Sequence, residues 1–159
     1  MGLLKLQTLM YDNLLTEDDC NFFINFYEEN KQLEKKHRDT LYIDLQPNMN
    51  DNVNILGEKL INVSRLFNAQ IDWMQIVKWM PNSFQDLHFD TTENDTVLTS
   101  ITYLNDNFEG GQTYFSEGTI FKPRIGRGLF FNGMYYKHGV TKIESGVRYV
   151  IATWYAKVL

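Results

Sequence analysis

The spacing of hydrophobic residues along the chain changes once, near residue 70. Over residues 15–70 these residues recur every three or four positions, which is typical of one face of an α-helix. Over residues 71–159 they tend to alternate with polar residues, which is typical of β-strands. No repeat, low-complexity tract or flexible linker separates the two parts. The pattern predicts one domain over residues 1–159, with helical support in the first part and a β core in the second.

Two amphipathic helices are predicted in the first part of the chain. The first begins at Thr16, whose hydroxyl can accept a hydrogen bond from the first turn, and the acidic run 17–19 suits the positive end of a helix. The second covers residues 52–68. Each helix has one apolar stripe that is expected to be buried. The stripes are Cys20, Phe23, Ile24 and Tyr27 in the first helix, and Val53, Leu56, Leu60, Val63 and Phe67 in the second.

Polar segments surround a short predicted strand between the two helices. Residues 31–39 are almost all polar, so they are predicted to end the first helix as a solvated surface, and His37 within them is given no role. Residues 41–45 are predicted as a strand. The polar segments 46–53 and 91–95 could close over a substrate, although an ordinary surface loop is the alternative for both.

The second part of the chain contains about eight short predicted strands. Turn-forming sequences such as 81–83, 105–107 and 145–146 mark their ends. Short strands of this number behind two helices predict a mainly β fold, a jelly roll or double-stranded β-helix with both helices packed on one sheet. The predicted strands are 73–80, 86–90, 96–104, 111–115, 119–121, 127–132, 137–143 and 147–157.

Composition and charge exclude several classes of protein. The chain has a formal net charge of −5, so neither nucleic acid nor an anionic membrane is expected as a partner, because both require clustered positive charge. The single cysteine, Cys20, cannot form an internal disulfide or, by itself, a thiolate metal site. Any imidazole chemistry must use the three histidines, His37, His88 and His138.

The expected compartment follows from the absence of targeting signals in the sequence. No segment has the length and apolarity of a signal-peptide core or of a membrane span. The two glycosylation-like sequences, at Asn62 and Asn94, are therefore expected to be accidental. A cytoplasmic location is expected, in the host cytoplasm if the source is a virus.

Three residues of the β region form a candidate metal site. His88 and Asp90 are two positions apart in a predicted strand, so their side chains lie on the same face, although an ordinary polar face gives the same pattern. His138 lies in a later apolar strand, where a hydrogen-bonded core histidine is the alternative. Two histidines and one carboxylate with open coordination positions form the facial triad of non-haem Fe(II) oxygenases.

Arg148 adds a candidate anion site. It opens a predicted strand and shares a face with Val150, Ala152 and Trp154. A guanidinium on the inward face of a sheet is costly unless an anion meets it, and its geometry matches a carboxylate. The inner face of the sheets is therefore predicted to hold the three candidate metal ligands and, deeper in, an arginine that binds a carboxylate.

A series of short motifs in a fixed order extends from about residue 73 to residue 155. With these motifs the chain resembles the 2-oxoglutarate- and Fe(II)-dependent dioxygenases, and most of all their prolyl 4-hydroxylase-type branch. The motifs are Gln75–Trp79, His88–Asp90, Ile101–Asp106, Gly110–Phe115, Lys122–Gly126, Leu129–Phe131, His138–Val140, Gly146–Arg148 and Trp154.

The resemblance implies a role for each matching polar residue. His88, Asp90 and His138 match the iron ligands of the family. Arg148 matches the basic residue that binds the distal carboxylate of 2-oxoglutarate, and Tyr103 matches a tyrosine that supports the same carboxylate. The chemistry of the site is thus expected to be carried by these five residues.

The resemblance also assigns four residues to the walls of the site. Thr113 and Trp154 match positions that line the cosubstrate pocket, with plain core as the alternative. Trp79 and Tyr136 are assigned to the substrate pocket. Trp79 stands where the family usually has a tyrosine, and its indole can donate a hydrogen bond only through the ring N–H.

The resemblance implies an enzyme that hydroxylates a C–H bond, with a peptidyl proline as the expected target. Fe(II) is the expected metal, 2-oxoglutarate and O2 are the cosubstrates, and ascorbate is a further candidate cofactor. The same chemistry on a free amino acid or small metabolite is one alternative. A non-catalytic jelly-roll binding module is another, but Arg148 counts against it because an unused buried guanidinium is costly.

Overall fold

The structure is a computed structural model, and it describes residues 7–90 and 96–159. The described chain is mainly β, with two α-helices and three antiparallel sheets. Neither helix of the described ranges is long and apolar enough to cross a membrane. The predicted loop at 91–95 lies outside the described residues.

Both helices begin at a side-chain cap. Helix α1 (Glu17–Glu29) starts after Thr16, whose hydroxyl accepts a hydrogen bond from the backbone N–H of Asp19 at 3.1 Å, while the Asp19 carboxylate accepts one from the Thr16 N–H at 3.2 Å. Helix α2 (Asp51–Ser64) starts after Asn50, whose side chain accepts a hydrogen bond from the N–H of Val53 at 2.8 Å. The predicted start of the first helix at Thr16 is confirmed.

The predicted end of the second helix is wrong. After α2 the chain continues as a 3-10 turn, Arg65–Phe67, and leaves it through Asn68 in a left-handed conformation. Because a 3-10 turn has about three residues per turn, the apolar stripe of the α-helix does not continue through it. Phe67, predicted to be buried, is 43% exposed.

The largest sheet has seven strands in the order β1-β10-β6-β13-β4-β3-β2, and every neighbouring pair is antiparallel. Strand β1 was not predicted, because no periodic pattern marks its four residues. The strands are β1 (Thr8–Tyr11), β2 (Lys35–His37), β3 (Thr40–Asp44), β4 (Ala69–Trp79), β6 (Thr96–Tyr103), β10 (Gly128–Phe131) and β13 (Arg148–Lys157).

Two smaller sheets complete the β structure, one of four strands in the order β5-β11-β8-β9 and one of two strands, β12 and β7. The single strand predicted at 137–143 is two strands, because its residues pair with different neighbours: β11 with β5 and β8, and β12 with β7. The strands are β5 (Gln85–His88), β7 (Glu109–Gly110), β8 (Thr113–Phe115), β9 (Ile120–Phe121), β11 (His138–Val140) and β12 (Ile143–Ser145).

The polar run at 31–39 does not form only a solvated helix end. After a 3-10 turn at Lys31–Leu33, residues 35–37 form β2, which pairs with β3 and extends the edge of the seven-stranded sheet. Backbone pairing, rather than side-chain burial, holds this strand, and all three of its residues are exposed. The hairpin places His37 and the turn that follows it beside the cavity described below.

Two buried apolar clusters use alternate residues of the central strands. The first cluster contains residues of both helices together with Ile76 of β4 and Ile151 of β13. The second contains Val77 and Val150 of the same strands together with residues of the four-stranded sheet. Successive residues of a strand point to opposite faces, so the two clusters lie on opposite faces of the large sheet. The candidate site belongs to the side of the second cluster.

A charged group is buried on the side of the first cluster. Lys78 of β4 is 9% exposed and donates to the Glu28 carboxylate of α1 at 2.6 Å, and Tyr149 of β13 donates to the same carboxylate. Burial by itself raises the pKa of Glu28, but the hydrogen bonds from Lys78, Tyr149 and Lys31 outweigh it and lower this pKa to about 2. The ionised carboxylate therefore ties α1 to the central strands.

Glu28→Gln is expected to lower the free energy of unfolding near neutral pH by about 1–2 kcal/mol, a figure reduced for the partial exposure of Glu28. A carboxylate with a lowered pKa in the folded state stabilises above its unfolded pKa, so the difference from wild type should fade as the pH falls from 4.5 to about 2. Urea unfolding at several pH values measures this difference. The control is Glu29→Gln, next in the helix and exposed, which should change stability little; equal effects of both variants would contradict the prediction.

Candidate metal and cosubstrate site

The backbone pairing of two short strands brings the candidate metal ligands together. His88 ends β5 and His138 begins β11, and these two residues are direct partners in the antiparallel ladder. Their imidazole centroids are 4.4 Å apart. The predicted strand 86–90 ends at His88, so Asp90 lies two positions beyond β5, yet its carboxylate still reaches the two imidazoles.

The three side chains converge on one point. One ligand atom from each of His88, Asp90 and His138 can be chosen so that all lie within 4.8 Å of one another. The Oδ1 atom of Asp90 lies 3.4 Å from Nε2 of His88 and 3.3 Å from Nε2 of His138. His138 and Asp90 are buried, and His88 is partly exposed on the cavity side. Two imidazole nitrogens and one carboxylate oxygen form a donor set that suits Fe(II).

Backbone carbonyls orient both imidazoles. Nδ1 of His88 lies 3.0 Å from the carbonyl of Asp86, and Nδ1 of His138 lies 3.0 Å from the carbonyl of Tyr136. A carbonyl only accepts hydrogen bonds, so each Nδ1 is the protonated donor and each Nε2 keeps its lone pair for the converging point. Each strand thus presents its imidazole in the tautomer that binds a metal.

One neighbour holds the Asp90 carboxylate and another holds its backbone. The hydroxyl of Thr99 donates to Oδ2 at 2.6 Å, and the backbone N–H of Asp90 donates to the carbonyl of Gly133 at 2.8 Å. Burial by itself raises the pKa of Asp90, but the neighbouring imidazoles of His138 and His88 and the hydrogen bond from Thr99 outweigh burial and hold the pKa far below its usual range. Asp90 is therefore an anion whose Oδ1 faces the two imidazoles.

Sequence reasoning missed the roles of Thr99 and Gly133. Asn132–Gly133 has the sequence of a turn, and Thr99 lies in a strand where a polar inward residue carries no recognisable motif. Gly133 is required because a Cβ there would overlap both Oδ2 of Asp90 and Oγ1 of Thr99. Only the folded backbone brings this glycine against the carboxylate.

Gly133→Ala is expected to displace Asp90 and weaken metal affinity by about 10- to 100-fold, the effect typical of changes in residues that orient metal ligands. Metal titration of the purified variant measures this change. Gly57→Ala is the matched control: a Cβ at Gly57 meets nothing within 4 Å, and alanine in helix α2 should stabilise by roughly 0.5–1 kcal/mol with metal affinity unchanged. Wild-type metal affinity in Gly133→Ala would contradict the packing argument.

A cavity of about 490 Å³ connects the three converging side chains with Arg148. Its walls come from the hairpin β2–β3, from β4, β6 and β13 of the large sheet, and from β5 and β11 of the four-stranded sheet. Residues Gln46–Val53, considered above as a lid, do not line it within the described structure, and Val53 is instead buried in the first cluster. The cavity has room for a small dicarboxylate and part of a substrate.

Arg148 is a buried cation in the wall of this cavity. It is 1% exposed, and its guanidinium donates to the carbonyl of Gly111 at 3.0 Å and to Oγ1 of Thr113 at 3.4 Å. The rings of Trp79 and Tyr103 lie 5.1 Å and 5.4 Å from the guanidinium carbon. Burial lowers the pKa of Arg148, and no carboxylate of the described residues forms an ion pair with it. Such an environment suits a ligand that brings its own anion.

The remaining predicted site residues occupy three kinds of position. Trp79 and Trp154 line the cavity, and Trp154 packs on Trp73 with ring centroids 5.2 Å apart. Tyr103 and Thr113 are fully buried, share a hydrogen bond of 2.5 Å and contact Arg148, but they are not among the described residues of the cavity wall. The cavity wall of the described structure also lacks Tyr136, whose ring packs on Tyr135 while its carbonyl orients His138.

One polar atom of the cavity wall has no partner. Trp79 is 6% exposed, and its indole N–H donates no hydrogen bond within the described structure. An unpaired buried donor is costly, and here it lies in the same wall as an unpaired guanidinium. A carboxylate ligand would satisfy both groups, so the residues present fit an anionic cosubstrate.

Comparison with known proteins yields one family. The model of the 2OG-Fe(II) oxygenase superfamily matches residues 74–156, which is more than half of the chain. A protein of Acanthamoeba polyphaga mimivirus named "Putative prolyl 4-hydroxylase" is 27% identical over 120 residues, covering 59% of this chain. The match spans 50% of the length of that relative.

Solved structures with the same fold include two prolyl hydroxylases. The viral collagen prolyl hydroxylase of Paramecium bursaria Chlorella virus-1, in complex with 2OG, superposes with a TM-score of 0.81 at 18% identity, covering 96% of each chain. A prolyl hydroxylase in complex with a hypoxia inducible factor peptide fragment, from Trichoplax adhaerens, gives a TM-score of 0.75 at 19% identity, covering 94% of this chain and 83% of that one. At these identities the likeness establishes the fold.

Proposed function

The chain belongs to the 2OG-Fe(II) oxygenase superfamily, and on that premise we propose that it hydroxylates a proline residue within a peptide or protein. As a member of this superfamily it is a dioxygenase that uses Fe(II), 2-oxoglutarate and O2. The observation that carries the proposal is the convergence of His88, Asp90 and His138 in a cavity that also contains the unpaired Arg148. The proline substrate is suggested by the names of its relatives.

His88, Asp90 and His138 would hold the iron. The Nε2 lone pairs of the histidines and Oδ1 of Asp90 converge, and hydrogen bonds on the far side of each group keep them in place. When bound, Fe(II) supplies the activation of O2, coupled to oxidative decarboxylation of 2-oxoglutarate to succinate and carbon dioxide, that inserts one oxygen atom into a C–H bond. Three protein ligands would leave coordination positions of the iron open for the cosubstrates.

Arg148 would bind the distal carboxylate of 2-oxoglutarate. Its Nε is held by the carbonyl of Gly111, and its guanidinium is fixed between the rings of Trp79 and Tyr103. The Tyr103–Thr113 hydrogen-bonded pair sets the orientation of the guanidinium from behind. The Trp79 N–H is a further buried donor of the wall without a partner in the described structure, so it would donate a hydrogen bond to the cosubstrate in place of the tyrosine that the family usually has.

The arrangement of the sheets and helices supports a more specific description of the fold. The seven-stranded and four-stranded sheets share the second buried cluster, and the two helices contribute to the first. We take this arrangement as a double-stranded β-helix with the helices packed on its larger sheet. The whole of residues 1–159 then forms one oxygenase domain, with the cavity between the two sheets.

The substrate is tested by direct detection of the product. The protein is incubated with Fe(II), 2-oxoglutarate, O2 and ascorbate together with a panel of proline-containing peptides, free amino acids and small metabolites. A peptide that gains one oxygen on proline, located by tandem mass spectrometry, with an equal amount of succinate, is the expected result. If only free amino acids or small metabolites gain oxygen, the proposed substrate class is wrong, but the proposed oxygenase reaction stands. Absence of any Fe(II)-dependent 2-oxoglutarate consumption would overturn the proposed activity.

A further inference from the structure

The turn between β2 and β3 contains an arginine in an unusual backbone conformation. Arg38 has a φ of +53°, in the left-handed region that few residues other than Gly, Asn and Asp adopt without cost. The other described non-glycine residues with positive φ are all asparagines: Asn13, Asn48, Asn68 and Asn82. At the other described positions with positive φ the chain therefore has asparagine or glycine, which adopt this conformation at low cost. An arginine at this position suggests that its side chain has a use.

The Arg38 side chain is free and faces the cavity. It is exposed, it lines the cavity, and it makes no hydrogen bond or ion pair with any described residue. The nearby Lys35 differs, because its ammonium is bound to the Asp44 carboxylate at 3.0 Å. Arg38 is therefore a cation of the cavity rim whose charge is uncompensated within the described structure.

The position of the turn gives this cation access to a bound substrate. Strand β2 lies at one edge of the seven-stranded sheet and β5 at one edge of the four-stranded sheet, and both edges contribute to the cavity wall. Phe84 and Phe89, at 50% and 44% exposed, line the cavity on the β5 side. The rim thus combines an exposed apolar side with a cationic one.

We propose that Arg38 binds the carboxylate of an acidic residue that lies close to the target proline in the peptide substrate. This inference rests on the proposed function and adds to it a preference for acidic sequence. The guanidinium offers paired N–H donors that match a carboxylate. The net charge of −5 repels acidic peptides at long range, and a cation at the cavity rim would offset this repulsion where the peptide binds.

Asp39, the second residue of the turn, provides a second test of the preference for acidic peptides, because its charge is opposite to that of Arg38. It is exposed, lines the cavity and forms no ion pair with Arg38. Its negative charge opposes an acidic peptide at the same rim. Removing the positive charge of Arg38 should therefore weaken the preference for acidic peptides, and removing the negative charge of Asp39 should strengthen it.

The experiment compares two peptides that are identical except for Glu or Gln beside the proline. Wild type should hydroxylate the Glu peptide with a kcat/KM about 10-fold higher, the effect of one charge-assisted hydrogen bond, and high salt should reduce the ratio. Arg38→Asn should remove the preference by raising KM for the Glu peptide, while KM for the Gln peptide stays as in wild type. Because asparagine suits the left-handed position, this variant should unfold at the same or a higher temperature. Asp39→Asn should enlarge the preference.

The outcomes separate this inference from the proposed function. If prolines are hydroxylated but Arg38→Asn keeps the wild-type ratio of Glu to Gln peptide, the acidic preference is overturned and the proposed function stands. If both kinds of peptide lose activity equally in a folded Arg38→Asn variant, Arg38 serves the site in another way and the inference is overturned. If no peptide is hydroxylated at all, the proposed substrate class fails and this inference fails with it.

Discussion

His138→Ala is expected to abolish Fe(II) binding and, with it, the turnover of 2-oxoglutarate. Only three candidate ligand atoms converge at this point of the described structure, so loss of one Nε2 leaves two. The loss of metal affinity should exceed the 10- to 100-fold that is typical when only an orienting residue of a metal site is changed. Anaerobic titration with Fe(II) and measurement of succinate by mass spectrometry check the two parts of the prediction.

The matched control is His37→Ala. His37 lines the same cavity, but it is exposed and is not a member of the converging group. Metal affinity in this variant should equal that of wild type, and thermal unfolding of both variants should show that they are folded. A His138→Ala protein that binds Fe(II) with wild-type affinity would show that the metal is held elsewhere.

Only part of the metal site was predictable from a short-range pattern. A spacing of two residues keeps the His88 and Asp90 side chains close together, although Asp90 lies just beyond the end of β5. The position of His138 required a cross-strand partner, and only the motif order of a known family supplied it. Gly133 and Thr99 could not be identified in this way, because their roles depend on a close approach between segments that are distant in the sequence.

The fold shows the same division between local and long-range information. The cap at Thr16 and the stripes of α1 and α2 are local signals, and the structure contains them. Strands β1 and β2 have few residues and little burial, so only pairing with a neighbour makes them strands. Residues 31–39 are almost all exposed, as predicted, but the pairing of β2 with β3 was missed for this reason, and with it the turn that carries Arg38.

Two buried cations on adjacent strands differ in whether the fold supplies an anionic partner. Lys78 of β4 and Arg148 of β13 are both almost inaccessible to solvent. Lys78 faces the first cluster and has the carboxylate of Glu28 as its partner. Arg148 faces the second cluster and has only neutral partners, a carbonyl and a hydroxyl, within the described structure. The fold supplies an anion for Lys78, whereas it supplies none for Arg148 among the described residues, which supports the proposal that Arg148 binds an anionic ligand.

Arg148→Met is therefore expected to yield a protein that is at least as stable as wild type and unable to bind 2-oxoglutarate. The two hydrogen bonds that are lost contribute about 1 kcal/mol each, whereas replacing a buried, unpaired charge by an apolar side chain of similar volume gains about 1–4 kcal/mol. The affinity for 2-oxoglutarate should fall by about 100-fold or more, the value of a charge-assisted, bidentate contact. Urea unfolding and anaerobic calorimetric titration with 2-oxoglutarate measure the two effects.

Lys78→Met is the control with the opposite outcome. It removes the partner of an ionised carboxylate, so it should lower the free energy of unfolding by about 1–3 kcal/mol and leave the affinity for 2-oxoglutarate unchanged. A saturating concentration of 2-oxoglutarate should raise the unfolding temperature of wild type and of Lys78→Met, but not that of Arg148→Met, since only a folded state that binds the ligand gains stability from it. An Arg148→Met protein that is strongly destabilised and still binds 2-oxoglutarate would assign the guanidinium to the core and not to the cosubstrate.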